Sequence, residues 1–237
     1  MTPAVAYRPA RPDDMITCAR IWSESIEDYV KRLNQPWFAG DLEPLARLLG
    51  HFLATDPALF RVGTSAKDPG RVVAFGSATV RGSTWFLGML FVLPEFQAGG
   101  VGRTLLEQLL PPVEQRGRDG LTLGTATDSL QPISNALYSQ YGLVPRLPVF
   151  QFVGRPERTD HLPHLPDGVA GTEWSTDGDT TLAGDVGRLD VETLGAAHPE
   201  DHAFLAAERR RRFVYWSGAN EAVGYGYIAP SGRIGPI

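Results

Sequence analysis

The sequence predicts an α/β protein, and residues 83–115 carry that prediction. An almost continuous apolar run over residues 85–93 is closed by Pro94, which is typical of a β-strand. A glycine-rich turn follows at residues 97–102. Beyond the turn, apolar side chains recur every four residues, at Val101, Leu105, Leu109 and Val113. This is the spacing of one face of a helix. We therefore expect a strand, a tight turn and an amphipathic helix in this order.

The elements before this stretch follow from the same periodicities. A strand, two helices and two more strands are predicted, at residues 4–8, 16–33, 41–54, 59–64 and 72–80. Asp13 or Asp14 can cap the first of these helices, and Asp41 the second. The predicted order, up to and including the amphipathic helix after the glycine turn, is thus β-α-α-β-β-β-α.

Pro111 and Pro112 fall inside the predicted amphipathic helix that follows the glycine turn. An interior proline loses a hydrogen bond and clashes with the preceding turn. We expect a break near Leu110 and a final turn over residues 113–116. Downstream, the pattern predicts a strand, a helix that starts at a proline and stops at a glycine, and a final strand pair, at residues 121–126, 132–142 and 143–153.

A glycine-rich turn between a strand and a helix suits phosphate binding. The first amides of a helix lack intrahelical partners and face an anion, and glycine allows close approach. A P-loop would need Gly-Lys-Ser/Thr, whereas Arg103 and Thr104 follow Gly102 here. A dinucleotide fingerprint would need a third small residue where Leu105 stands. Neither class fits.

A third class fits these residues. Gln97-x-x-Gly100-x-Gly102, after its apolar strand, resembles the acetyl-CoA-binding motif of the GNAT N-acetyltransferase superfamily. The segment with Tyr138 four residues before Gly142 resembles the second motif of that family, in which a helical tyrosine stands four residues before a glycine. The resemblance covers residues 4–154 and implies a mixed, mostly antiparallel central sheet flanked by helices.

The resemblance implies acetyl transfer from acetyl-CoA to an amine of a small molecule or peptide by direct attack. Tyr138 would donate a proton to the leaving thiolate, although an aromatic residue on a short helix is often only a core residue. Ser134 and Asn135 would bind the pantetheine arm or cap their helix. The implied contacts with the acetyl thioester and the pyrophosphate are Leu90, Phe91, Val92, Gln97, Ala98, Gly99, Gly100, Val101, Gly102 and Arg103.

The general base is not identified, because residues 86–90 contain no acid where many members of the family carry a glutamate on this strand. Either a water chain carries the proton or a side chain from elsewhere does, with the candidates Glu24, Glu27, Asp28 and His51. Tyr29, Trp37 and Phe38 would line the acceptor groove or pack under the loop. The missing acid also keeps open a non-catalytic acyl-CoA-binding or regulatory module.

Composition restricts the function classes. The 237 residues carry a net charge of −5 with a pI near 5.5, which argues against nucleic acid as the main partner. No apolar run reaches about 18 residues, so we expect no membrane span. The single Cys18 excludes a disulfide framework, fits a cytoplasmic protein and is a poor nucleophile without an obvious base nearby. No metal is expected: Pro199 follows His198, which argues against His198 and His202 sharing a helix face.

The tail predicts a second, partial domain. We expect a GNAT domain at residues 1–154, a linker rich in Pro, Gly and Asp at 155–181, and a degenerate GNAT-like half at 182–237. The predicted order of elements in residues 182–237 is α-α-β-β-β. It contains no counterpart of the glycine turn at residues 97–102. Its last strand would be an edge, so the tail either packs on the first domain or pairs between chains as a homodimer.

Overall fold

The computed structural model describes residues 4–37, 40–117, 119–150, 152–155, 157–174 and 180–235. The chain divides into two compact units, Met1–Val144 and Pro145–Ile237. None of the described helices is both long enough and apolar enough to cross a membrane.

The first unit contains a five-stranded sheet in the order β1-β2-β3-β4-β5. Neighbouring strands from β1 to β4 are antiparallel, and β5 runs parallel to β4. The mixed, mostly antiparallel sheet flanked by helices is therefore confirmed. The elements of this unit are β1 (Val5–Pro9), α1 (Met15–Arg32), α2 (Glu43–Thr55), β2 (Phe60–Ser65), β3 (Asp68–Arg81), β4 (Thr84–Val92), α3 (Val101–Leu109), β5 (Thr122–Thr125) and α4 (Pro132–Ser139).

Helices cover both faces of this sheet. Successive residues of a strand point to opposite faces, and β3 shows this directly. Val73 and Phe75 join the buried cluster that α1 and α2 form, whereas Ala74 packs with Val101 and Leu105 of α3. The apolar stripe of α3 therefore fixes the glycine turn against the end of β4.

The prolines end α3 as the sequence predicts. Leu110 has an extended backbone (φ −63°, ψ 135°), and a separate single turn follows at Val113–Gln115. The indole nitrogen of Trp85 donates to the Leu109 carbonyl at 3.2 Å, which satisfies one acceptor that the helix end leaves open. The start of α2 is likewise supported by Asp41, whose carboxylate accepts the Glu43 amide at 3.0 Å. The Asp14 carboxylate does not cap α1 in this way. It accepts hydrogen bonds from the Arg8 side chain and from the Arg11 amide.

The predicted strand pair over residues 143–153 is wrong for the residues described there, which form no strand. Leu147, Phe150 and Phe152 are exposed at 86%, 74% and 90%. Pro145 and Pro148 lack the N–H that a ladder needs, and this explains why an apolar run alone does not extend the sheet.

The second unit contains a three-stranded antiparallel sheet in the order β6-β7-β8. Its elements are β6 (Ala170–Glu173), α5 (Thr180–Leu194), α6 (Pro199–Ala207), β7 (Arg211–Trp216) and β8 (Ala222–Ile228). The two helices and two of the predicted strands are present. In place of the third, only an isolated bridge joins Ile228 and Ile234 among the described residues.

Strand β6 lies inside the segment predicted as a linker. Its four residues are all exposed and show no apolar alternation, so only the pairing with β7 makes them a strand. With β6 included, the unit follows the order β-α-α-β-β. This is the order of β1, α1, α2, β2 and β3 in the first unit, and the three strands occupy equivalent sheet positions.

Candidate active site

A cleft opens in the first unit where β4 and β5 part. The two strands pair only from Thr84–Thr122 to Leu87–Thr125, whereas β4 continues to Val92. The register between β3 and β4 shifts at the same point and leaves Gly88 without a partner residue. Beyond Leu87, β4 has no described strand neighbour on the β5 side. Backbone groups on this side are thus available to a ligand.

The cleft has a volume of about 1090 Å³, at the upper end of small-molecule sites. Its walls come from α1, the open part of β4, the turn after β4, residues 125–128 and α4. An extended ligand larger than a simple amine therefore fits inside it.

The glycine turn presents free amides to the mouth of the cleft. Gly100 takes a left-handed backbone (φ 81°) and is the N-cap of α3. The first intrahelical bond runs from the Thr104 amide to the Gly100 carbonyl at 2.9 Å, which leaves the amides of Val101, Gly102 and Arg103 without helical acceptors. These amides lie at the positive end of the helix dipole, which suits an anion.

Gln97 fastens this turn to the strand. Its side-chain amide donates to the Val92 carbonyl at 2.9 Å, and the Ser25 hydroxyl donates to the same carbonyl at 3.1 Å. Gln97 thus holds the end of β4 while it also lines the cleft. Arg103 extends towards α4 and donates to the Gln140 side chain at 2.6 Å.

The predicted cofactor residues line the cleft, except Gly99 and Asn135, which are not among the lining residues. The Asn135 amide donates to the carbonyls of Asp128 and Gln131, so it ties α4 to the preceding loop. Ser134 does line the cleft and shares a 2.8 Å hydrogen bond with Thr127.

Tyr138 is both a core residue and a cleft residue. It is 7% exposed and packs among Trp85, Leu87 and Leu106, yet it also lines the cleft. Burial raises the pKa of Tyr138 to about 12. At neutral pH the phenol therefore retains its proton and can act as a donor.

Of the predicted base candidates, only Asp28 lines the cleft, and it forms an ion pair with Arg32. Sequence reasoning missed a second acid, Asp128, which lines the cleft just beyond β5. Asp128 could have been found from its position just after β5. The carboxyl ends of parallel strands meet at one edge of a sheet, so a residue there lies near the end of β4. Burial and then the neighbouring Asp128 raise the pKa of Tyr29, which shares the cleft.

The other predicted residues lie elsewhere. Trp37 does not line the cleft; its ring meets the Trp22 ring edge-on at 5.9 Å. Phe38 lies outside the described residues. Cys18 is completely buried in α1, and burial raises the pKa of its thiol well above the usual range, so the thiolate is disfavoured.

The first unit thus has a sheet whose last two strands part beside a glycine-capped helix, with a protonated tyrosine in the opening, and this arrangement suits an anionic ligand. The family model described as "Acetyltransferase (GNAT) family" matches residues 22–143, slightly more than half of the chain. The chain belongs to this family, whose activity is acetyl transfer. No curated protein matches the sequence.

Solved structures agree on the fold. A proposed acetyltransferase from Pyrococcus horikoshii is similar with a TM-score of 0.66 and 16% identity, over 98% of this chain and 70% of that one. A GCN5-related N-acetyltransferase from Sphaerobacter thermophilus is similar with a TM-score of 0.57 and 16% identity, over 97% of this chain and 74% of that one. Both alignments include the two units.

Proposed function

We propose that this chain is an N-acetyltransferase that uses acetyl-CoA and acts on an amine of a small molecule or peptide by direct attack. One observation carries the proposal. The free amides at the start of α3, the open edge of β4 and the protonated Tyr138 all line one cleft.

Each part of the cleft has a chemical task in this proposal. Acetyl-CoA supplies an activated acetyl thioester when bound. The amides of residues 101–103 seat its pyrophosphate, and backbone N–H groups of the open β4 edge polarise the thioester carbonyl. As the new C–N bond forms and the C–S bond breaks, Tyr138 gives its proton to the departing sulfur. The proton that the amine loses then restores the phenol through solvent.

We assign recognition of the acceptor amine to Asp128. Asp28 is already paired with Arg32, whereas no ion pair is described for Asp128, whose carboxylate accepts the Leu130 amide at 2.8 Å and faces the Tyr29 hydroxyl. A carboxylate attracts an ammonium group and can take its proton before attack. The preferred acceptors in this account are therefore amines that are cationic at neutral pH.

Thiol release from acetyl-CoA against a panel of amines tests the role of Tyr138. We expect Tyr138→Phe to lower kcat about 100-fold, within the range of general acid catalysis, at unchanged acetyl-CoA affinity. Tyr141→Phe is the matched control, because the Tyr141 hydroxyl donates to Glu107 at 2.6 Å and does not line the cleft. Equal losses in both variants would contradict the assignment.

The Asp128 assignment is tested by the same assay. We expect Asp128→Asn to lower kcat/KM for cationic amines about 10-fold, with acetyl-CoA affinity unchanged, because a charged hydrogen bond contributes about 1.5 kcal/mol. Asp28→Asn is the comparison, and a larger loss there would move the assignment to Asp28.

A non-catalytic acyl-CoA-binding module is the second candidate, favoured by the lack of any acidic side chain in β4. Binding of acetyl-CoA without thiol release on any amine would support this module over the enzyme.

We further propose that the second unit is a partial repeat of the first half of the GNAT domain. Its support is the shared element order and sheet order of the two units. If the repeat folds by itself, residues 145–237 expressed alone will show a cooperative thermal transition; a featureless melt would count against an independent unit.

A further inference from the structure

The second unit buries a cluster of one carboxylate and two imidazoles, Asp190, His198 and His202, which we call the Asp190 cluster. Asp190 lies on α5 and is completely buried, and the two histidines are 8% and 9% exposed. The nearer Asp190 oxygens lie 2.9 Å from His202 Nε2 and 3.4 Å from His198 Nε2. Three groups that commonly bind transition metals thus converge inside the fold.

The start of α6 brings the two histidines together. His198 is the N-cap of α6, with a non-helical backbone (φ −136°, ψ 64°) directly before Pro199. Its ring stacks on the ring of His202 with centroids 4.7 Å apart. As Pro199 predicts, His198 lies outside the helix, yet its position as the N-cap still brings its ring against that of His202, so the inference that the two side chains lie apart is wrong.

The spacing of the three groups fits one tetrahedral ion. Their ligand atoms all lie within 4.8 Å of one another. Zinc–nitrogen bonds of about 2.05 Å at the tetrahedral angle place ligand atoms about 3.3 Å apart. The contact of His202 with Asp190 Oδ2, 2.9 Å, and that of His198 with Asp190 Oδ1, 3.4 Å, lie on either side of this value.

Outer partners hold two of the three groups in place. The Tyr227 hydroxyl shares a 2.6 Å hydrogen bond with His202 Nδ1, the nitrogen that faces away from Asp190. The Tyr225 hydroxyl donates to Asp190 Oδ1 at 2.6 Å. Metal-binding histidines and carboxylates are oriented by such outer hydrogen bonds.

His198 provides the independent sign of a missing ligand. Both of its ring nitrogens are buried and neither makes a hydrogen bond among the described residues, although oxygens of Asp190 and Asp201 lie 3.4 and 3.7 Å from Nε2 and Nδ1. A buried polar group without a partner costs free energy and calls for an explanation. An ion held between His198 and Asp190 would provide that partner.

We propose that the Asp190 cluster binds a divalent transition-metal ion, with Zn²⁺ as the best match to two nitrogen ligands and one oxygen ligand. Three protein ligands leave the fourth position to water. With an ion on Nε2 of His202, the proton through which Nε2 bonds to Asp190 would move to Nδ1, which would then donate to the Tyr227 oxygen. The site joins α5 to α6, and all of its residues lie in the second unit.

Titration of the chelator-treated full chain with Co²⁺ alone, and then with Zn²⁺ alone, tests the proposal. We expect one Co²⁺ per chain with the intense visible absorption of a tetrahedral site, displacement of that absorption by Zn²⁺, and a rise in Tm with Zn²⁺.

Variants locate the site. His198→Asn should weaken Zn²⁺ binding at least 10-fold, and it removes no described hydrogen bond of the ring. Tyr227→Phe should weaken binding about 10-fold through loss of the outer partner. His161→Asn is the matched control, because this histidine is exposed and outside the cluster. Absence of a tetrahedral Co²⁺ spectrum in the wild-type chain, or an equal loss in His161→Asn, would overturn the proposal, and the cluster would then be a buried hydrogen-bond network only.

Discussion

Replacing Gly102 with alanine separates the packing role of this glycine from its proposed role in binding. Gly102 is the second residue of α3, and an added Cβ would lie 3.7 Å from Val92 Cγ2, an ordinary van der Waals contact. Alanine is favoured over glycine in a helix by about 0.5–1 kcal/mol. The variant should therefore be at least as stable as the wild type, with Tm raised by about 1–4 °C.

The effect on binding should have the opposite sign. In the proposed site, the amides of residues 101–103 bond to a pyrophosphate, and a methyl group at residue 102 stands in the way of close approach. Loss of one charge-assisted hydrogen bond costs about 1.5–3 kcal/mol. At 1.4 kcal/mol per tenfold change, the dissociation constant of acetyl-CoA should rise about 10- to 150-fold.

Calorimetric titration with acetyl-CoA and thermal melting measure the two effects separately. Gly50→Ala is the matched control, because Gly50 lies inside α2 with no atom within 4 Å of an added Cβ. It should gain similar stability at unchanged affinity. A stable Gly102→Ala protein with wild-type affinity would refute the assignment of the turn to the pyrophosphate.

Three further predictions concern the first unit. Gly100→Ala should lower stability by about 1–2 kcal/mol, measured by urea unfolding, because its φ of 81° is left-handed; no change would contradict the turn geometry. Burial opposes ionisation of Asp14, but hydrogen bonds from Arg8 and Arg11 hold its pKa below the usual range, so Asp14→Asn should cost about 1–3 kcal/mol at pH 7. Because the folded pKa is depressed, that contribution is present above about pH 4 and is lost as pH falls through the folded pKa, so the variant and the wild type should converge in acid. Leu105→Ala should cost about 2–5 kcal/mol, since Leu105 is completely buried, whereas Leu147→Ala, at an 86% exposed site, should change stability by under about 0.5 kcal/mol.

The local elements of the first unit could be predicted because their signals are local. The four-residue repeat of α3, the prolines that end it and the glycine that caps it each act within one or two turns of the chain. The same holds for α4, where Pro132 starts the helix and Gly142 follows its end with a left-handed backbone (φ 83°). Such features depend on backbone sterics and not on distant partners.

Features that depend on distant partners could not be predicted. Strand β6 exists through its pairing with β7, about 40 residues later, and its own residues give no strand signal. Asp128 joins Asp28 in one cleft only because β5 runs parallel to β4 and then parts from it. The strand signal of residues 143–153 was misleading, because apolar residues favour a strand only when a pairing partner and its N–H groups are available.

The role of Tyr138 illustrates the limit for a single residue. The sequence left it open whether the side chain belongs to the core or to the site, and in the structure Tyr138 packs in the core and also lines the cleft. The burial that places it in the core also raises its pKa to about 12. A raised pKa extends the range in which the phenol is protonated, so the pH profile of kcat should show no decline from Tyr138 between pH 8 and 10.

The central claim is that the cleft between β4 and β5 binds acetyl-CoA. Calorimetric titration of the wild-type chain with acetyl-CoA tests it most directly. The account predicts one saturable site per chain, with affinity that falls in Gly102→Ala and stays unchanged in Gly50→Ala. A wild-type chain that is folded by thermal melting and yet shows no heat of binding at millimolar acetyl-CoA would contradict the account.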